Sequence, residues 1–340
     1  MKLSKKLAAV ITSIALITPF TFADVPNENT IQDGLTAFAK EILVAAPQAS
    51  TQQNVWSDAY IGNLPLKFGF GITAGGTKID NSGLKTALDE FGVGTAADMV
   101  KVLPVASIDV RLGGIILPFD VGISAMMTNP NLFAFNYSDP TTVLNTSQNI
   151  SFDMGGLNFS YDYLTIGFDV RYRILQENVV VPKISIGAGY YYTKSAIGLS
   201  YTQSATNYMK MNVAYNTEVI FAQAQISKNI AFVNLFAGGR AIVPKTVVNY
   251  GYDYLVTYNS ETLADKTYNA TVTKDNVSTA YQDSKFDFSM VEPQLYAGVS
   301  FNFLVFQTTL SASCDVRSFF DSENYEDALW SAALSIHVDL

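Results

Sequence analysis

What most constrains this chain is a strict alternation of apolar with polar or small residues, repeated over about ten segments. In Leu164–Ile174, the clearest of them, Leu164, Ile166, Phe168, Val170, Tyr172 and Ile174 share one parity. Thr165, Gly167, Asp169, Arg171 and Arg173 share the other. A strand sends successive side chains to opposite faces, so each segment is a ribbon with one apolar and one polar side. Hydrophobic residues make up 49% of the 340, yet the mature chain has no apolar run approaching the ~20 residues of a membrane helix. Charged residues are scarce at 15% and aromatic residues plentiful at 13%. A transmembrane barrel has this composition, because its lipid face is spread over alternate positions.

The segments are Leu64–Thr77, Val105–Gly113, Ile115–Met127, Leu164–Ile174, Pro182–Thr193, Tyr208–Ser227, Ala231–Val243, Lys285–Asn302, Val305–Arg317 and Leu329–Leu340. Long and short connections alternate between them. This matches an antiparallel up-and-down barrel of about ten strands with short periplasmic turns and long external loops, both termini lying in the periplasm. Phase changes near Thr217–Phe221 and beside Pro293 read as β-bulges. The 129–158 and 244–284 stretches read as long polar loops, and 81–104 as a loop with helical spacing at Leu84, Leu88 and Phe91. The last segment puts Trp330, Leu334, Ile336, Val338 and Leu340 on one face and is expected to close the ring against Leu64–Thr77. His337 and Asp339 would then lie near Leu64–Lys67.

Residues 1–23 read as a secretory signal: Lys2, Lys5 and Lys6, an apolar core from Leu7 to Leu16, then Thr21-Phe22-Ala23 at a cleavage site. Residues 24–63 form a separate N-terminal segment before the barrel of 64–340. Ile31, Leu35, Phe38, Ile42 and Ala46 recur at helical spacing after a cap at Thr30. This helix is either a surface element on the periplasmic side, the favoured reading, or a plug inside the lumen.

Several stretches resemble a family of paralogous outer-membrane barrels of spirochaetes, especially treponemes. They are Trp56-Ser57-Asp58-Ala59-Tyr60-Ile61-Gly62, Phe68-Gly69-Phe70-Gly71, Arg111-Leu112-Gly113-Gly114, Leu117-Pro118-Phe119-Asp120, Asp169-Val170-Arg171-Tyr172 and Pro182-Lys183-Ile184-Ser185-Ile186-Gly187. Some spirochaetal barrels resemble long-chain fatty-acid channels, but no residue set here carries that function over. The resemblance implies an outer-membrane location and no particular substrate.

The polar faces carry Lys67, Arg111, Arg171, Arg173, Lys183, Arg240 and Arg317, and opposite them in sign Asp109, Asp120, Asp169, Glu218, Glu292 and Asp315. Charges of both signs pointing into a small lumen are expected to form a cross-lumen ion-pair network. On this view Thr165 faces the polar lumen and would tolerate arginine, whereas Phe168 faces lipid and would not. The alternative is a narrow passage for a small polar or amphipathic solute. An adhesin using the long loops competes with it, and an outer-membrane hydrolase is the remote third reading. The sole histidine, His337, has no nucleophile motif beside it, with Asp339 its expected partner, so no catalytic residue is assigned. One cysteine and one histidine leave no Cys- or His-rich metal site, and no cofactor is expected. A pI near 4.6 argues against nucleic acid. The expected partners are outer-membrane lipid and the barrel insertion machinery, with a host or surface ligand left open.

Overall fold

The computed structural model describes residues 25–61, 67–114, 118–134, 151–154, 156–258, 261–280, 282–320 and 328–339. The stretch 1–23 expected to be a signal, Leu64 to Leu66, Leu117 and Leu340 lie outside them. The strands are β1 (Lys67–Lys78), β2 (Val102–Gly113), β3 (Phe119–Met127), β4 (Ser151–Met154), β5 (Leu157–Leu175), β6 (Lys183–Ser204), β7 (Asn207–Ile230), β8 (Val233–Tyr258), β9 (Glu261–Val272), β10 (Val277–Ser278), β11 (Glu292–Phe303), β12 (Phe306–Asp315) and β13 (Trp330–Asp339). All pairings are antiparallel. Ten strands close a ring in the order β1-β2-β3-β5-β6-β7-β8-β11-β12-β13, with β13 returning to β1. Closing the ring leaves no unpaired edge, as a strand structure in lipid requires. Leu334 faces Ala74, Ile336 faces Ile72, and His337 and Asp339 stand opposite Gly71 and Gly69, further into β1 than expected. Trp330, Leu334 and Ile336 are exposed on the outer face and Val338 is half-buried.

Short turns gather at one end of the ring, here called the turn end. Among them are two-residue hairpins at Ala231-Phe232 and Leu304-Val305. The other end is the loop end. There the wall is uneven: β5 to β8 run for 19, 22, 24 and 26 residues, against 9 to 12 in β1, β2, β3 and β11 to β13. The expected loop at 244–284 is mostly the rest of β8 and its hairpin with β9. Its Val248, Tyr250, Tyr252, Tyr254 and Val256 alternate as strictly as any lipid-facing segment, but Asn249, Gly251 and Asp253 between them give the stretch a loop-like composition.

The expected bulge in β7 is absent. β7 pairs with β8 without a register shift from Tyr208 to Ile230, and with β6 from Tyr208 to Ser227. Its odd residues face inward along the whole strand: Met209, Met211, Val213, Tyr215, Thr217, Val219, Phe221, Gln225 and Ser227 are buried. What changes at Thr217–Phe221 is the surroundings. Toward the turn end the outer face is Ile220, Ala222, Ala224 and Ile226, and the polar Gln225 and Ser227 point inward. Toward the loop end the outer face carries Lys210, Asn212, Asn216 and Glu218, with Ala214 covered by Leu132, and the large apolar side chains point inward. The apolar residues have changed faces because lipid lies outside one half and a packed core lies inside the other. The phase change at Pro293 has a different cause: β11 begins at Glu292, and 282–291 is not a strand.

That core is built on the N-terminal helix, Glu28–Ser50. Its cap is Asn27 and not Thr30; the Asn27 side chain accepts from the amides of Asn29 and Thr30. Ile31, Leu35, Phe38, Ile42 and Ala46 form the buried stripe. They pack with Met209, Met211, Val213, Tyr250, Tyr252, Leu84 and Leu88 in one cluster. The helix of the β1–β2 loop, Ser82–Asp89, lies across it, and a Cβ on Gly34 or Gly83 would meet the other glycine's carbonyl oxygen at 2.6 Å. The favoured surface position of the N-terminal helix is therefore overturned. Ten strands leave a bore wide enough for a helix in the extended half, and the apolar lining there gives its stripe a partner. The described chain starts at the loop end, where the Asn27 amide donates to Glu90 and Glu28 pairs with Lys266 at 3.0 Å. Asp339 lies at the turn end, so the described residues do not begin and end on one side.

Candidate functional site

The candidate site is the filled lumen. At Pro47 the helix passes from the apolar half of the bore to the polar half, and its sequence changes accordingly. Gln48, Ser50, Thr51, Gln52, Gln53 and Asn54 are all buried despite their polarity. Buried polar groups need partners, and the wall supplies them. Gln48 donates to Ser331 Oγ at 2.9 Å and Gln52 to Ser313 Oγ at 2.9 Å. Gln53 Oε1 accepts from Thr165 at 2.7 Å, and Asn54 donates to Asp169 at 2.6 Å.

Residues 54–61 then run toward the turn end as a single strand of chain inside the ring. Trp56 Nε1 donates to Asp109 Oδ1 at 2.8 Å. Ser57 Oγ meets Ser300 Oγ at 2.8 Å. Gln225 donates to the carbonyls of Trp56 and Ser57, Ser227 accepts from the Ala59 amide, and Asp120 accepts from the Ile61 amide at 2.6 Å. Thus the plug's backbone, lacking a sheet partner of its own, is satisfied by wall side chains.

An ion-pair cluster stands beside it. Arg111 bonds Asp120 at 2.5 Å and Asp169 at 2.6 and 2.8 Å. Arg171 bonds both oxygens of Asp120 at 2.9 Å and donates to the Asp58 carbonyl at 2.7 Å. All four side chains are at most 2% exposed. Such a pairing holds together only because each carboxylate meets several donors. Gly122 leaves room for it, since a Cβ there would collide with the Arg111 guanidinium and Asp169. Beside it lies a cavity of about 30 Å³ between Trp56, Arg111, Tyr191 and Arg240. Asn54 Oδ1 and Arg111 Nε, buried without a protein partner, border this water-sized space.

The other expected lumen charges are distributed along the bore. Lys183 pairs with Asp58 of the plug at 2.6 Å. Arg173 lies over the Tyr60 ring at the turn end. Arg240 bonds Gln223 and the Thr51 carbonyl between the rings of Phe221 and Tyr296. Arg317 joins Glu292 and Asp315 at the loop end. Two residues stand elsewhere than expected. Glu218 faces outward and bonds Tyr190 and Lys245, because even positions of β7 are its outer face. Lys67, at the very start of β1, is exposed at the turn-end rim.

His337 is buried under Trp56, the rings stacked 3.9 Å apart. Its neighbour is Asp109, 3.2 Å from Nε2 though not aligned as a hydrogen bond. Ser335 Oγ lies 3.5 Å from Nδ1 but donates to the Val55 carbonyl. The three polar groups are at most 1% exposed, so no substrate reaches them while the plug is in place. Sequence reasoning missed Trp56, Gln53 and Asn54. Their signal was a polar run following an apolar helix, which also fits a linker. At the loop end Tyr250 bonds Thr36 of the helix, and burial pushes its phenol above the ordinary value.

No family model matches the chain, and no curated protein matches it. Solved structures with some likeness include the translocator domain of the autotransporter NalP from Neisseria meningitidis, at 9% identity, covering 92% of this chain and 99% of that one, TM-score 0.37. The outer-membrane protease OmpT from Escherichia coli aligns at 7% identity over 81% and 94%, TM-score 0.35. A Pseudomonas aeruginosa FadL homologue aligns at 10% identity over 95% and 99%, TM-score 0.26. At these TM-scores the likenesses decide nothing about what this chain does.

Proposed function

We propose that the protein is a bacterial outer-membrane barrel serving as a narrow, plugged passage for small polar or amphipathic solutes. The observation that carries this is the chemistry of the plug in the lipid-facing half. The ring closes through its own ladder, while residues 54–61 are held chiefly by hydrogen bonds and ion pairs that water could replace. Displacing them leaves the wall intact and clears the turn-end half of the bore, lined by Arg111, Arg171, Asp120 and Asp169; a continuous passage also needs the N-terminal helix to shift.

The test is a lock. Ser57→Cys and Ser300→Cys, in a Cys314→Ser background, place two thiols where the hydroxyls now stand 2.8 Å apart. In liposome swelling with graded solutes, the oxidised protein should admit none and the reduced protein should admit small ones. Equal swelling in both states would refute a passage that needs the plug to move. A surface-interaction role is the second reading, favoured by the rise of β5 to β9 beyond the lipid-facing band. Trimming the β8–β9 hairpin should then abolish attachment and leave swelling unchanged.

A further inference from the structure

Besides the lumen, the loop end holds a cavity of about 410 Å³ between the N-terminal helix, β8 and the 284–290 segment. Leu43 and Val44 of the helix, Pro244 of β8 and Met290 give it an apolar body. Val44 and Met290 are 43% and 39% exposed, so it opens to solvent beside the helix. Its charges are unequal. Arg317 is taken up by Glu292 and Asp315 at 2.8 and 2.5 Å, and Lys274 lies 3.5 Å from Asp287. Lys40 and Lys285, one on each wall, make no ion pair among the described residues. The chain as a whole carries −9, so two uncompensated lysines over an apolar floor are not a sample of its average surface.

We infer that this cavity binds a small amphipathic organic anion, its carboxylate or sulfonate held between Lys40 and Lys285 and its apolar body against Leu43, Val44 and Met290. The inference rests on the passage reading and names the solute class. An anion between two lysines gains charge-assisted hydrogen bonds, and the apolar lining keeps water from competing for the rest of the molecule. The position follows the same logic. The cavity touches the helix that leads directly into the plug, so an occupant would meet the chain where plug displacement begins.

The experiment uses full-length protein in zwitterionic nanodiscs, with fluorine NMR of para-trifluoromethylbenzoate as the probe. Saturable binding is expected. The neutral para-trifluoromethylbenzamide should bind at least about tenfold more weakly, as should the benzoate to the Lys40→Gln/Lys285→Gln protein, for loss of charged hydrogen bonds. Both lysines are exposed, so heat-modifiable migration on gels should report an intact barrel. Val44→Ser should weaken the benzoate about threefold through lost apolar contact. Equal binding of the amide, or unchanged affinity in the double variant, would overturn the inference. Displacement of the benzoate by equimolar inorganic phosphate would overturn the amphipathic class. The measurement is repeated with the Ser57–Ser300 crosslink closed. Binding there without swelling in the reduced protein would sink the passage alone, and swelling without binding would sink only this site.

Discussion

The outer face of β7 should respond to charge according to depth. Glu218 marks the change: toward the turn end from it the outward residues are Ile220, Ala222, Ala224 and Ile226, and toward the loop end they are Asn216, Ala214 beneath Leu132, Asn212 and Lys210. At about 3.3 Å per residue and a tilt near 40°, Ala224 lies about 15 Å from Glu218 along the barrel axis. That is roughly half the hydrocarbon thickness. A lysine at the midplane of a barrel's lipid face costs ~2–4 kcal/mol, and near the interface ~0–1. Ala224→Lys should therefore shift the folding equilibrium by about two orders of magnitude. Lys210→Ala, outside the lipid band, should change it by less than about 1 kcal/mol, which allows for its contact with the Tyr208 ring. The assay is urea-dependent folding into phospholipid vesicles, followed by gel mobility and tryptophan fluorescence. Equal costs at the two positions, or a larger cost at Lys210, would refute the assignment of lipid to one half of the strand and water to the other.

Asp120→Asn removes the charge shared by Arg111 and Arg171 and weakens the acceptor of the Ile61 amide. Breaking a buried network of this kind costs ~3–5 kcal/mol, and limited proteolysis should cut within residues 54–61 sooner than in the parent. Thr165→Arg and Phe168→Arg should both impair assembly, as read by heat-modifiability: Phe168 is 52% exposed on the lipid face, while Thr165 is buried against Gln53 and Thr193. Tolerance of Thr165→Arg would mean that the lumen is open there. Deleting 336–340 removes the partners of Gly69 to Ile72 and of Phe306 to Thr308. No heat-modifiable species should form, and a truncated protein that assembles normally would contradict the closure.

Alternation alone was enough to place most of the wall. Period-two patterning sets the face of every residue on a strand, so the inward set of Arg111, Arg171, Asp120 and Asp169 was legible in the sequence, as was closure of Trp330–Asp339 on the first strand. The N-terminal helix was equally legible from Ile31, Leu35, Phe38 and Ile42, because a 3.6-residue stripe is a local property. Its location was not, since an apolar stripe specifies that it must be covered and not by what. Only the tertiary structure placed it against Met209, Met211, Tyr250 and Tyr252. The same ambiguity produced the errors in β7. A change of apolar parity is what a bulge produces, and equally what an unbroken strand produces when it leaves lipid and begins to line a core. Glu218 was assigned inward on the first reading and stands outward on the second. Periodicity records which residues avoid water; whether they do so in lipid outside the wall or against a helix within it depends on what fills the bore.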